Sequence, residues 1–145
     1  MEAKNYNLND SLGYLINVLS LEMKQKLDAA LKDKKVTVHQ FGILLIIFKK
    51  KNLTQKDIAN QTNGDEPATA RLMNRLEEKG CIKRVVDKKD KRKRLVSLTN
   101  SGEKLLNELL PFAKAINESL TSALNQEEKT TLFSLLTKLV SSQTK

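Results

Sequence analysis

The stretch Asp65-Glu66-Pro67-Ala68-Thr69-Ala70-Arg71-Leu72-Met73-Asn74-Arg75-Leu76 decides how the rest of the chain is read. Asp65 can accept hydrogen bonds from the free amides of a first helical turn, and Pro67 fits that turn because the amide it lacks would be unpaired there. The helix then runs to Gly80, a residue suited to its end. With successive side chains about 100° apart around the axis, Asp65, Ala68, Leu72, Leu76 and Lys79 fall on one side, which is expected to pack. Glu66, Pro67, Ala70, Arg71, Asn74 and Glu78 fall on the other and are expected to face outward.

Just upstream, Thr54 with Asp57 three residues on is a variant of the capping box that ties down a helix N-terminus. Ile58 and Ala59 are the expected buried residues of this short helix, so the pair reads as helix, turn, helix. After Gly80 the period changes from helical to extended in Cys81-Ile82-Lys83-Arg84-Val85-Val86, and again in Leu95-Val96-Ser97-Leu98-Thr99. Two strands are therefore expected, joined by the loop from Asp87 to Arg94. A helix-turn-helix followed by a basic β-hairpin is a winged helix, which lays its second helix in a DNA major groove and its hairpin against the backbone or in the minor groove.

Outward from this centre the chain is helical. Leu12, Leu15, Ile16, Leu19, Met23, Leu27 and Leu31 recur at three- and four-residue spacing and predict a long amphipathic helix starting near Asn9 or Asp10. Thr37 and Gln40 predict the capped start of a second helix, apolar over most of its circumference through Phe41, Ile43, Leu44, Leu45, Ile47 and Phe48, and hence a core helix. After the hairpin, Thr99 is expected to cap a long helix carrying apolar residues from Leu105 to Leu124 and kinked at Pro111. Asn125 with Glu128 starts the last, with Leu132, Phe133, Leu135, Leu136, Leu139 and Val140 on its packing side. The first helix and the last two together carry more apolar stripe than a small winged helix can cover. The excess implies a partner surface, most economically a second copy.

The fold class is thus mainly α with a small β-hairpin: one domain of 145 residues, its winged helix at about 36–100, flanked by dimerisation helices at about 8–33 and 100–143. The formal net charge is +9, and the twelve residues from Lys83 to Arg94 hold eight Lys or Arg against two Asp, so this short run carries two thirds of the excess. A polyanionic partner is expected. With one Cys there is no intramolecular disulfide framework, and no apolar run reaches membrane-spanning length. The start Met1-Glu2-Ala3-Lys4-Asn5-Tyr6-Asn7 lacks the plan of a signal peptide, so a cytoplasmic protein is expected. One His and one Cys make no metal-ligand set of adequate number, and no phosphate-binding Gly-rich loop or nucleophile–base pair is present. Catalysis is not expected. His39 reads as a surface residue and Cys81 as a small buried hydrophobe.

The chain resembles the MarR family of bacterial transcriptional regulators. The resemblance rests on Leu53-Thr54-Gln55-Lys56-Asp57-Ile58-Ala59, on Pro67 with Arg71-Leu72 and Arg75-Leu76-Glu77, on Lys79-Gly80 with Ile82 and Arg84, and on the run from Asp87 to Gly102, where Asp87, Asp90, Arg92, Leu98, Thr99 and Gly102 match the family's wing. Three positions depart from it: Gly64 stands where an apolar residue is usual, Ala70 where Thr or Ser often faces DNA, and Cys81 where Leu or Trp is usual. The resemblance implies a two-fold dimer of interleaved terminal helices. It implies that Arg92 enters the minor groove with Asp90 orienting it, and that a small, often aromatic effector of unknown identity binds between the dimer helices and the winged helix. A two-fold dimer reads an inverted repeat with half-sites about 10 bp apart.

On physical grounds, Arg71 can donate two parallel hydrogen bonds to guanine O6 and N7, with a salt bridge to Glu78 or a phosphate contact as the alternative uses of the same charge. Pro67, Ala70 and Asn74 share its face, with Thr69 and Arg75 at the flanks. Arg75 can serve phosphate or an acidic side chain. Lys88, Lys89, Lys91, Lys93 and Arg94 in the wing, and Thr54, Gln55 and Lys56 at the start of the preceding helix, are assigned to the DNA backbone. The expected function is a DNA-binding transcriptional regulator, a repressor, acting without a cofactor as a homodimer on double-stranded DNA, released by a small-molecule effector and not bound to membrane. Two other readings fit the same residues: a winged-helix protein-interaction module, and a nonspecific nucleoid-type DNA binder.

Overall fold

A computed structural model describes residues 2–62 and 65–143, so Gly64 lies outside the described residues. The element order is α1 (Leu12–Leu31), α2 (Val38–Lys49), α3 (Gln55–Gln61), α4 (Glu66–Glu78), β1 (Ile82–Val86), β2 (Arg94–Leu98), α5 (Asn100–Leu120) and α6 (Gln126–Gln143), with single 3₁₀ turns at Ala3–Asn5, Leu8–Asp10 and Lys32–Lys34. The chain divides into two units, Lys24–Ala113 and the two chain ends.

Local chemistry sets the boundaries in the first unit. Thr37 and Gln40 form a reciprocal capping box at α2, each side chain accepting the other's backbone N–H at 3.1 Å. Thr54 and Asp57 do the same at α3, at 2.9 and 3.1 Å. The Asp65 carboxylate accepts the Ala68 N–H at the start of α4. Gly80 ends α4 at φ +74°, with Cys81 N–H donating to the Leu76 carbonyl and Gly80 N–H to that of Glu77. These two bonds are a Schellman motif, and the left-handed φ is why a glycine stands there.

The hairpin pairs Ile82 with Leu98, Arg84 with Val96 and Val86 with Arg94. Leu53 adds a single bridge, its carbonyl accepting Val96 N–H at 2.8 Å. Alternation places Ile82, Arg84 and Val96 on one face, and Ile82 and Val96 are buried. That face closes over a core built from Leu31, Ile43, Leu44, Ile58, Met73, Leu76, Leu106 and Leu109. Thr99 links hairpin and helix: its N–H donates to the Cys81 carbonyl, its hydroxyl accepts Gly102 N–H at 3.0 Å and donates to the Gly80 carbonyl. It is the cap of α5.

The packing face of α4 differs from the sequence expectation. Thr69, Met73 and Leu76 are buried, whereas Asp65 and Lys79 are exposed and Ala68 and Leu72 half-buried. The core has turned the helix by about a residue toward Met73. Thr69 is tolerated inside because its hydroxyl meets that of Thr62 at 3.3 Å, and Thr62 donates to the Ile58 carbonyl. Lys79 instead reaches across to donate to the Lys35 carbonyl.

In the unit formed by the chain ends, α1 is capped by Ser11, whose hydroxyl accepts the Tyr14 N–H, and not by Asn9 or Asp10, which belong to a 3₁₀ turn. Asn125 and Glu128 form a reciprocal box at α6, both bonds 2.9 Å long. The preceding helix α5 runs through Pro111 but ends at Leu120, before Ala123 and Leu124; the Thr121 hydroxyl donates back to the Asn117 carbonyl, and the backbone tightens into turns. No described residue of α6 is buried within the single chain, and Leu12, Leu15, Ile16 and Leu19 of α1 are exposed as well. On the expected packing side of α6, Leu132 is half-buried and Phe133, Leu135, Leu136, Leu139 and Val140 are exposed in the single chain.

Candidate nucleic-acid interface

Three pieces of the first unit meet at one groove: the start of α3, the middle of α4 and the base of the hairpin loop. Thr54, Gln55 and Lys56 line it from α3, Ala70 and Asn74 from α4, and Arg84, Arg92, Lys93 and Arg94 from the hairpin. No carboxylate is among its lining residues, which include five cationic side chains. Because the start of α3 lines the groove, the positive end of that helix's dipole lies beside this basic surface.

Arg71 and Arg75 are exposed on α4, and neither enters an ion pair among the described residues. Of the alternative uses of Arg71, the bridge to Glu78 is not made. Pro67 is exposed one turn before Arg71, and Ala70 is half-buried between α4 and the groove. Asn74 and Gln55 are not free side chains: each carboxamide oxygen accepts a hydrogen bond from Arg84, at 3.1 and 3.0 Å. The Thr54 hydroxyl accepts the Asp57 N–H on the α3 cap.

In the wing, two aspartates shape the turn. Asp87 accepts the Lys89 N–H and Asp90 the Arg92 N–H, both at 3.0 Å. Asp90 also takes the Arg92 guanidinium from the side, Nε at 3.1 Å and Nη2 at 3.2 Å, while 91% of the Arg92 side chain stays exposed. The arginine is thus aimed without being covered. Its side chain, and next its backbone N–H, hold the Asp90 carboxyl below the usual carboxylate range. Asp90 thus holds both the backbone and the guanidinium of Arg92. Lys88, Lys89 and Lys91 project at the exposed tip, outside the groove.

Asp57 is held below its ordinary pKa mainly by the Thr54 backbone N–H and then by the Thr54 hydroxyl, with Lys93 and Lys56 adding to the effect. A depressed carboxylate stabilises the fold above its unfolded pKa and loses that contribution as pH falls through the folded value. Asp57→Asn should therefore lower the melting temperature at pH 7, and the gap from wild type should close as pH is taken below the ordinary carboxylate range. A gap that stays constant across that range contradicts the assignment.

His39 is exposed, and Cys81 is 5% exposed, with burial pushing its thiol pKa up. Among the described residues no three His, Cys, Asp or Glu are grouped so as to hold a metal ion, and no helix is long and apolar enough to cross a membrane. The residue that sequence reasoning missed is Arg84. Its signal was the strand alternation that places it on the same face as buried Ile82.

A family model described as the MarR family matches residues 36–93, from just before α2 to the hairpin loop, short of β2. An HTH-type transcriptional regulator of Bacillus cereus is 34% identical over 124 residues, which is 85% of this chain and 78% of the relative. The crystal structure of the Staphylococcus aureus MepR–DNA complex is similar at a TM-score of 0.76 and 34% identity, covering 91% of this chain and 98% of that one. Bordetella bronchiseptica BpsR, solved in connection with regulation of its DNA binding by 6-hydroxynicotinic acid, gives a TM-score of 0.81 at 26% identity over 97% of this chain and 99% of its own. With the winged helix, its basic groove and these relatives in agreement, the chain belongs to the MarR family and is a transcriptional regulator, not an enzyme.

Proposed function

We propose that this regulator is a cytoplasmic repressor that binds an inverted-repeat operator as a homodimer and is released by a small-molecule effector. The observation that carries the proposal is the convergence of the α3 start, Ala70 and Asn74 of α4, and the wing on one groove with no carboxylate among its lining residues. In this reading Arg71, with Pro67, Ala70, Asn74 and Arg75 beside it, faces the major groove. Arg92, aimed by Asp90, enters the minor groove, where the negative potential attracts a guanidinium and reports DNA shape. Thr54, Gln55, Lys56, Lys88, Lys89, Lys91 and Arg94 serve the backbone.

The dimer is supported by the exposed apolar residues of α1 and α6, among them Leu12, Ile16, Leu19, Phe133, Leu136 and Leu139. Terminal helices at about 8–33 and 100–143 would form it, and the winged helix at about 36–100 would read DNA. Release follows from population shift: an effector that prefers the wrong spacing of the two recognition helices lowers DNA affinity by that same preference. The DNA-bound MepR and the BpsR relative support the two halves of this reading. No cofactor is required.

The test is stoichiometry. Sedimentation of the protein alone should give a two-chain mass, and one dimer should bind a duplex with two half-sites one helical turn apart while binding a single half-site far more weakly. A monomer that binds one half-site as well as two contradicts the proposal.

A further inference from the structure

Arg84 is given no DNA contact above, yet its guanidinium makes three hydrogen bonds within the protein. From β1 its Nη1 donates to the Glu77 carboxylate at 2.8 Å, and its Nη2 donates to Gln55 Oε1 at 3.0 Å and Asn74 Oδ1 at 3.1 Å. Its side chain is 19% exposed, so the guanidinium sits in the floor of the groove rather than on its rim. The three partners come from α3 and from two turns of α4.

An arginine has donors only. Each carboxamide must therefore turn its oxygen toward Arg84, because the flipped amide would set NH2 against N–H. The NH2 groups of Gln55 and Asn74 are thereby held away from the guanidinium. We infer that Arg84 is a positioning residue: its fork fixes the Gln55 and Asn74 carboxamides as oriented donors for the acceptors of bound DNA, while Glu77 balances its charge. The inference rests on the DNA-reading role proposed for this groove. A lysine is a point charge with no rigid fork, so it could not hold two amides and a carboxylate at once.

Two measurements test it. The first needs no DNA: the side-chain NH2 resonances of Gln55 and Asn74 in ¹⁵N-labelled protein, identified with Gln55→Ala and Asn74→Ala. Wild type should show both held in slow, dispersed signals, and Arg84→Lys should collapse them to the values of free carboxamides. Unchanged signals in Arg84→Lys overturn the inference. The second compares affinity for a preferred duplex. Arg84→Lys, which keeps the charge, should weaken binding roughly tenfold or more, as expected for lost oriented donor contacts, with an unaltered salt slope. In a Gln55→Ala/Asn74→Ala background the same change should do nothing further.

If Arg84→Lys binds like wild type, or if its effect persists at full size in the double-alanine background, Arg84 acts by charge and the inference fails. A wild type with no sequence preference would instead overturn the operator reading, and the NH2 resonances would still decide whether Arg84 positions the amides.

Discussion

Raising salt from 50 to 200 mM should weaken binding of a preferred duplex ~10³–10⁵-fold, the loss expected when ~6–10 phosphates are neutralised. The charges available for this can be named. Of the eight Lys and Arg between Lys83 and Arg94, Arg84 is paired with Glu77 and Arg92 with Asp90. Lys88, Lys89, Lys91, Lys93 and Arg94 are exposed and in no ion pair among the described residues, and Lys56 joins them from α3. Two copies of this set suffice for the upper end of that range. Replacing Lys88, Lys89 and Lys91 together by Ala should reduce the slope of log affinity against log salt by about one per lysine in each copy that binds. Because these lysines project from the wing tip rather than the groove, the loss should be nearly the same for preferred and scrambled duplexes. A slope that does not change with the triple substitution would place the phosphate contacts elsewhere.

Among the described glycines of the chain's helices, Gly102→Ala should be the most destabilising change. Helix propensity alone predicts the opposite, since Ala is favoured over Gly inside a helix by about 1 kcal/mol. Contact decides otherwise: a methyl on Gly102 would overlap the Cys81 carbonyl oxygen and stand 2.9 Å from its carbon. That carbonyl cannot retreat freely, because it accepts the Thr99 N–H that joins the hairpin to the start of α5. Overpacking against fixed backbone costs ~3 kcal/mol, which outweighs the propensity gain and should lower the melting temperature by roughly 5–10 °C. Gly42→Ala is the matched control. It lies inside α2 with nothing within 4 Å of the added methyl, so it should be stabilising by roughly 0.5–1 kcal/mol. Thermal melts of the two variants should therefore move in opposite directions, and a Gly102→Ala protein as stable as wild type would contradict the close approach.

These local rules also explain what could be read in the sequence. The caps at Thr37, Thr54, Asp65, Thr99 and Asn125 and the glycine end at Gly80 were legible because each is decided by residues a few positions apart. The hairpin was legible to within a residue at each end because its period and its charged loop are local too. The buried face of α4 was not. Spacing around a helix shows which residues share a side, but Met73 and Thr69 are buried because α2 and α3 cover that flank, and Thr69 needs the Thr62 hydroxyl to be there at all. Arg84 was missed for the same reason on a larger scale: its partners stand seven, ten and twenty-nine positions away. In the sequence it looks like one more member of a basic run. The apolar stripes of α1 and α6 were visible as stripes, yet what covers them is not written within one chain.

Within the groove, two arginines divide the work differently. Arg92 is tethered at its base and left open at its tip, which suits a probe of groove shape, while Arg84 is closed off by three protein acceptors and acts on other side chains. Arg71, exposed and in no ion pair among the described residues, is the arginine proposed to read a base. Sequence preference should therefore concentrate on Arg71 and affinity on the wing lysines.

Selection of bound duplexes from a random library at about physiological salt, with wild type and Arg71→Ala side by side, tests that division most directly. The expected result is an inverted repeat with half-sites one helical turn apart for wild type, blurred at the Arg71 position in each half-site for the variant. The same motif at the same sharpness from both proteins would remove Arg71 from base recognition, and no motif from wild type would contradict operator recognition by this fold.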